Sequence, residues 1–246
     1  MKKILCLSLC VILFICSLAA CSNTGINADG AYALYTKMLA VMADIESIDM
    51  EISALSGVFI GSDESSGSAA GNIKKASNSE TGGIDVAIYY NAGIDGISTS
   101  SKIYYTDGVL YYTDASGVKH SSETFYEYIP YLSHSDLLEF PETAVKEFKI
   151  SNHNGGKKIE MTLESNSVAS ITEKNQSAED YNLGEIFCEF IVDENNMLVF
   201  HRITYEENID NMRIKQDISI TVNSYNDVEI EFPPDLDEYT YMDFYS

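Results

Sequence analysis

The chain has 246 residues, among them 38 acidic and 15 basic side chains, for a formal charge of −23. That charge excludes partners held by phosphate contacts, nucleic acid first among them, and excludes electrostatic adhesion to an anionic membrane. The length permits one domain whose core forms without metal or disulfide support.

Met1-Lys2-Lys3 is a short basic start, residues 4–18 are almost wholly apolar, and Leu18-Ala19-Ala20-Cys21 closes the segment. A basic start, an apolar run and a small-residue exit make a secretory signal rather than part of the fold. The run is shorter than the roughly 20 residues a membrane span needs. Leu18-Ala19-Ala20-Cys21 resembles the lipobox of bacterial lipoproteins, in which small residues admit the chain to the signal peptidase and the cysteine thiol receives diacylglycerol. The expected organisation is a signal over residues 1–20, a lipidated tether over 21–28 and a single domain over 29–246. Cleavage would leave 226 residues, with 13 basic and 38 acidic side chains and a charge of −25. Two acyl chains on Cys21 would anchor it stably. The seven residues from Ser22 to Ala28 extend at most roughly 25 Å, so the domain would stand close to the outer face of the membrane. Cys188 is then the one cysteine left, in an apolar run where it acts as a small hydrophobe.

The next segment has helical spacing. Ala31, Leu34, Met38, Val41, Met42 and Ile45 recur at three- and four-residue steps, with Asp29 placed to cap the start. A helix of roughly 18 residues is expected. From Ile48 the period changes to two, with Met50, Ile52 and Ala54 alternating with Glu51 and Ser53. Residues 61–71, rich in Ser, Gly and Asp, have the composition of a mobile turn. Residues 72–78 are a weak strand whose Lys74 and Lys75 suit a sheet edge. Strands follow over 84–90 and 97–106, and Asp107-Gly108 between two tyrosine-rich runs is the strongest hairpin signal in the chain. A helical insert is expected over residues 121–148, with Phe125, Tyr128, Ile129 and Leu132 on one face and Pro130 and Pro141 dividing it. Strand pattern returns at 148–150 and 158–163 about an Asn154-Gly155-Gly156 turn. A short helix over 167–176 and three longer strands over 184–192, 197–205 and 213–225 complete the body.

The order is α+β: a curved antiparallel sheet with helices covering it. The strand at 186–192 is apolar on both faces, with Phe190 on one and Phe187 on the other, so each face is either covered or lines a pocket. No nucleophile elbow, zinc-protease helix, phosphate loop or paired-cysteine pattern is present. His120, His134, His153 and His201 are far apart, the first three in polar ends or turns where a solvated imidazole is expected. Asp193-Glu194-Asn195-Asn196 has a calcium loop's composition without its glycine or terminal glutamate. No enzyme activity, cofactor or metal is expected.

The lipobox, the first helix running into Met50-Glu51-Ile52, the hairpin Tyr104-Tyr105-Thr106-Asp107-Gly108-Val109-Leu110-Tyr111-Tyr112 and the closing Val228-Glu229-Ile230-Glu231-Phe232-Pro233 resemble a known group. They are similar to uncharacterised surface lipoproteins of Gram-positive bacteria with a domain like LolA and the mycobacterial LppX and LprG. The resemblance implies an open antiparallel half-barrel whose concave face is packed by the N-terminal helix and the mid-chain helical insert. It further implies binding of a lipid or other apolar molecule. Candidate cavity residues are Leu34, Met38, Val41, Ile45, Phe187 and Phe190. The alternative is a non-catalytic module docking another surface protein or wall polymer.

Overall fold

Period-two alternation dominates from residue 47 onward, and the structure follows it. The structure, a computed structural model, describes residues 30–114, 116–122, 140, 142–164, 181–209 and 212–242. Helix α1 (Gly30–Ala43) is followed by β1 (Ser47–Ile60), β2 (Asp63–Ser77), β3 (Ile84–Ile94), β4 (Ile97–Thr106), β5 (Val109–Thr113) and β6 (Lys119–Ser122). After a 3-10 turn at Glu142–Ala144 come β7 (Val145–His153), β8 (Gly156–Leu163), β9 (Tyr181–Leu183), β10 (Ile186–Val192), β11 (Leu198–Ile209), β12 (Met212–Tyr225) and β13 (Thr240–Tyr241).

The thirteen strands among the described residues join one large open curved sheet in the order β13-β6-β5-β4-β3-β2-β1-β12-β11-β10-β8-β7, with β9 also on β11. Its register sorts side chains into two faces. On one, Tyr112, Ile103, Ile88, Ile73, Met50 and Val222 form a continuous row. The next row on that face runs Ile52, Ile220, His201, Phe190, Ile159 and Ile150. The opposite face carries short polar residues at the same central strands: Ser53 is flanked by Ser219 and Ala70, and Ala70 by Asn91. Helix α1 lies on the apolar face, where Tyr35, Met38 and Met42 are buried. Burial of such side chains is worth roughly 1.5–3 kcal/mol each, which holds the helix down.

Several expectations are corrected. The helix has 14 residues, not roughly 18. Residues 61–71 are no mobile turn: the chain reverses at Gly61 and Ser62, and β2 then runs unbroken to Ser77. Its small residues answer to close packing rather than mobility, since a Cβ on Gly71 would lie 2.4 Å from the Tyr89 carbonyl oxygen on β3. Lys74 and Lys75 are not on an edge, because β2 pairs β1 on one side and β3 on the other. Lys74 meets Asp49 at 3.7 Å. The helical insert is not shown: residues 123–139 lie outside the described residues, and its expected margins are strand at Ser121 and Ser122 and at residues 145–148. The short helix at 167–176, the segment 1–28 and Asp29 also lie outside them. One pairing is parallel, β13 on β6. The Asp107-Gly108 hairpin is as expected, with both residues at positive φ (51° and 80°) and Thr106 opposite Val109.

Gly71→Ala should therefore cost about 2 kcal/mol of stability, as overpacking against fixed backbone does, read as a lowered urea midpoint. Gly57→Ala, whose new Cβ meets only the movable Phe59 ring at 3.2 Å, should cost less.

Candidate functional site

The apolar face is organised around one aromatic stack. Phe190 on β10 and His201 on β11 are paired across the sheet and lie parallel, ring centroids 4.3 Å apart at 7°. Tyr35 of α1 covers Phe190 at 5.4 Å. The Tyr35 hydroxyl accepts the Phe140 N–H at 2.9 Å, and the Tyr32 hydroxyl donates to the Phe140 carbonyl at 2.9 Å. Two helix tyrosines thus fix the backbone where the chain returns toward β7. At the far end of α1, Tyr225 donates to the Leu198 carbonyl and lies 3.5 Å from the Met42 sulfur. Burial pushes the Cys188 thiol and the Tyr225 hydroxyl up and leaves both neutral.

Of the six cavity candidates, Met38 and Phe190 are fully buried, and Leu34, Val41 and Ile45 are half-buried. Leu34 and Ile45 pack against the core. Phe187, half-buried, projects from the other face of β10. Sequence reasoning missed Tyr35, His201, Tyr225 and Phe140. Tyr35 stands three residues before Met38 and seven before Met42, so helical spacing alone could have found it. Of the others, His201 carried a strand-alternation signal, while Tyr225 and Phe140 meet their partners only across long sequence separations. His120 departs from a solvated turn: it sits on β6, tilted against Tyr112 at 5.2 Å and 3.2 Å from an Asp114 oxygen. Leu18, Ala19, Ala20 and Cys21 lie outside the described residues.

Two open cavities lie on the opposite face. One cavity of about 990 Å³ runs over Leu55, Ser68, Gly93, Ser98, Phe187 and Thr204. A second, of about 840 Å³, lies on the same central strands over Ser53, Asn72, Tyr89, Asn91, Ser100 and Ser219. Short serines and glycines recur in both walls, beside Leu55, Ile97 and Phe187 in the first and Ile52, Tyr89 and Tyr90 in the second. Among the described residues no His, Cys, Asp or Glu cluster could hold a metal, and no helix is long and apolar enough to cross a membrane.

No family model matches the chain, and no curated protein matches it in sequence. Among solved structures, LprF from Mycobacterium bovis is similar at 9% identity, covering 85% of this chain and 99% of that one, with a TM-score of 0.46. A DUF1329 family protein from Desulfovibrio piger is similar at 13% identity, covering 83% and 96%, with a TM-score of 0.26. A putative outer membrane lipoprotein-sorting protein domain from Vibrio parahaemolyticus is similar at 10% identity, covering 80% and 93%, with a TM-score of 0.23. At these scores the likenesses decide nothing about ligand or role.

His201 gives the site a pH signature. Burial lowers its pKa from 6.5 to about 3, and its Nε2 has no hydrogen-bond partner among the described residues. The folded protein holds the ring neutral, while the unfolded chain takes up a proton below pH 6.5. Its contribution is therefore complete above pH 6.5 and is lost as pH falls toward 3, at about 1.4 kcal/mol per pH unit. His201→Phe keeps a ring on Phe190 and removes the titration. Between pH 7.5 and 5 the unfolding free energy of the natural chain should fall by about 2 kcal/mol more than that of the variant; parallel curves from urea titrations would contradict this.

Proposed function

We propose that the chain is a non-enzymatic, extracytoplasmic lipoprotein, anchored through diacylglycerol on Cys21, that holds a lipid or other apolar ligand close to the membrane. What supports the reading is a mismatch of sizes on the apolar face. Eleven spacings between the twelve strands of the main path, at 4.7–4.9 Å, make a sheet roughly 53 Å across, while a 14-residue helix is roughly 21 Å long and 10–12 Å wide. The apolar rows continue beyond such a helix through Ile52, Ile88, Ile103 and Tyr112, all half-buried. A face of this extent needs a cover, and an apolar ligand supplies one beside the first helix. The contact beneath α1 itself is filled by Tyr35 and Met38, so the ligand lies alongside the helix rather than under it. The sequence supplies the address: signal, lipobox and a tether too short to hold the domain far from the bilayer.

A specific observation favours a second reading, an envelope interaction module. The cavity of about 990 Å³ on the face opposite α1 has the exposed side chains of Leu55 and Ile97 within it.

The anchoring is tested by Cys21→Ser in the host. Radiolabelled palmitate should mark the natural chain and not the variant, and an equally labelled variant would remove the anchor from the account. The ligand is tested by native mass spectrometry of the protein purified without added lipid. A bound species of lipid mass, lost on organic extraction, is expected; a bare protein mass together with no uptake of a fluorescent fatty acid would contradict it.

A further inference from the structure

We infer that one end of the sheet is a membrane-docking surface, its apolar strand ends resting in the headgroup region of the bilayer that carries the Cys21 anchor. The two ends of the sheet differ in chemistry. At one end the turns are polar: residues 78–83 between β2 and β3, Asp107-Gly108, Asn154-Gly155, and Asp193 to Asn196. At the other end the strands finish on large apolar side chains. Ile60 closes β1 opposite Met212, which is paired on its other side with Ile209. Ile94 and Ile97 flank the β3–β4 turn. Ile97 is 67% and Ile60 47% exposed, and Leu55, toward the same end of β1, is 56% exposed. Single exposed apolar residues need no explanation, but a group of them at one end of a fold marks an interaction surface.

Helix α1 identifies the occupant through its direction. Met42 touches Tyr225, which pairs with Ile48 near the start of β1. Tyr35 covers Phe190, which lies in the row of Ile52. Traced from Met42 back to Gly30, the helix therefore advances toward Ile60, and its N-terminal end faces the apolar end of the sheet. Eight residues of strand lead from Ile52 to Ile60, roughly 26 Å. Five residues of helix lead from Tyr35 to Gly30, at most roughly 7.5 Å. The Ile60 turn thus stands roughly 20 Å further out than Gly30. The nine steps from Cys21 to Gly30 reach at most roughly 30 Å, so a cysteine held in the bilayer brings the turns against that bilayer. The inference rests on the proposed anchor at Cys21.

Charge sets the depth of the contact. Asp63, Glu64 and Asp95 are exposed at the same end. Asp95 is fixed there by the Ser65 hydroxyl at 2.6 Å and the Ser66 N–H at 3.1 Å. Unpaired carboxylates stay in water, so the isoleucines dip into the interface and the end sinks no further. Arg213, its guanidinium 4.6 Å from the Phe59 ring centroid, is placed to meet lipid phosphates. The contact is apolar and requires no anionic lipid.

The chain has no tryptophan, so one introduced indole reports its own position alone. The test uses protein purified from the host membrane and reconstituted into phosphatidylcholine vesicles, with or without bromine on the acyl chains. Three variants at exposed positions are compared: Ile60→Trp, Ile97→Trp and, beside the Asp193 to Asn196 turn at the opposite end, Val199→Trp. Flotation of the vesicles shows separately whether the protein is attached. Brominated lipid should reduce the emission of Ile60→Trp and Ile97→Trp at least twofold and leave that of Val199→Trp unchanged. A floating protein in which Ile60→Trp or Ile97→Trp is unquenched, or in which all three are quenched alike, would overturn the docking and leave the anchor standing. A protein that does not float would overturn both.

Discussion

Adjacent residues of a strand point to opposite faces, and in a sheet of thirteen strands that alternation governs everything else. A register slip of one residue would exchange the faces wholesale. The exchange would put Met50, Ile73 and Phe190 into water and Ser53, Ser219 and Asn91 into the core. The two faces carry such different side chains that the pairing is fixed many times over. The asymmetry is also what gives the molecule two distinct surfaces, one apolar and bearing the helix, the other rich in short serine, glycine and alanine residues.

Helix α1 is held by a small number of specific contacts rather than by its own propensity. Its 14 residues include no acidic side chain in the first turn and no basic one in the last, so the macrodipole is not offset by its own charges, and isolated helices of that length are marginal in water. Tyr35 on Phe190, the paired tyrosine hydroxyls on the Phe140 backbone, and Met42 beside Tyr225 tie it to β10, to the approach to β7 and to β12. The surface ion pairs contribute less. Even the bidentate Arg202–Asp217 pair, at 2.8 and 2.6 Å, is about half exposed on its arginine side, and exposed pairs are worth roughly 0–1 kcal/mol.

Much of this was legible in the sequence. The helical stripe through Leu34, Met38 and Met42, the two-faced strand at 186–192 and the Asp107-Gly108 turn all announce themselves through local spacing. What was not legible depended on partners far along the chain. The composition of β2 is that of a loop, and only its pairing on both sides, with Gly71 pressed to the Tyr89 carbonyl, makes small residues the ones that fit. Lys74 and Lys75 suited an edge until β3 was seen to lie beyond them. His201 looked like one of four scattered histidines, yet alternation puts it in a row of isoleucines with Phe190 across from it. The cavities on the opposite face had no local signature either, because β1 to β4 meet β12 there, more than a hundred residues further along the chain.

The central claim is that the apolar face beside α1 holds an apolar ligand while the opposite face does not. A photoreactive fatty acid, cross-linked to the purified protein and mapped by peptide mass spectrometry, separates the two surfaces directly. Adducts on the β3–β5 peptides that carry Ile88, Ile103 and Tyr112, competed away by unlabelled fatty acid, are the predicted result. Adducts concentrated at Leu55 and Phe187 on the polar face, or none that compete, would contradict it.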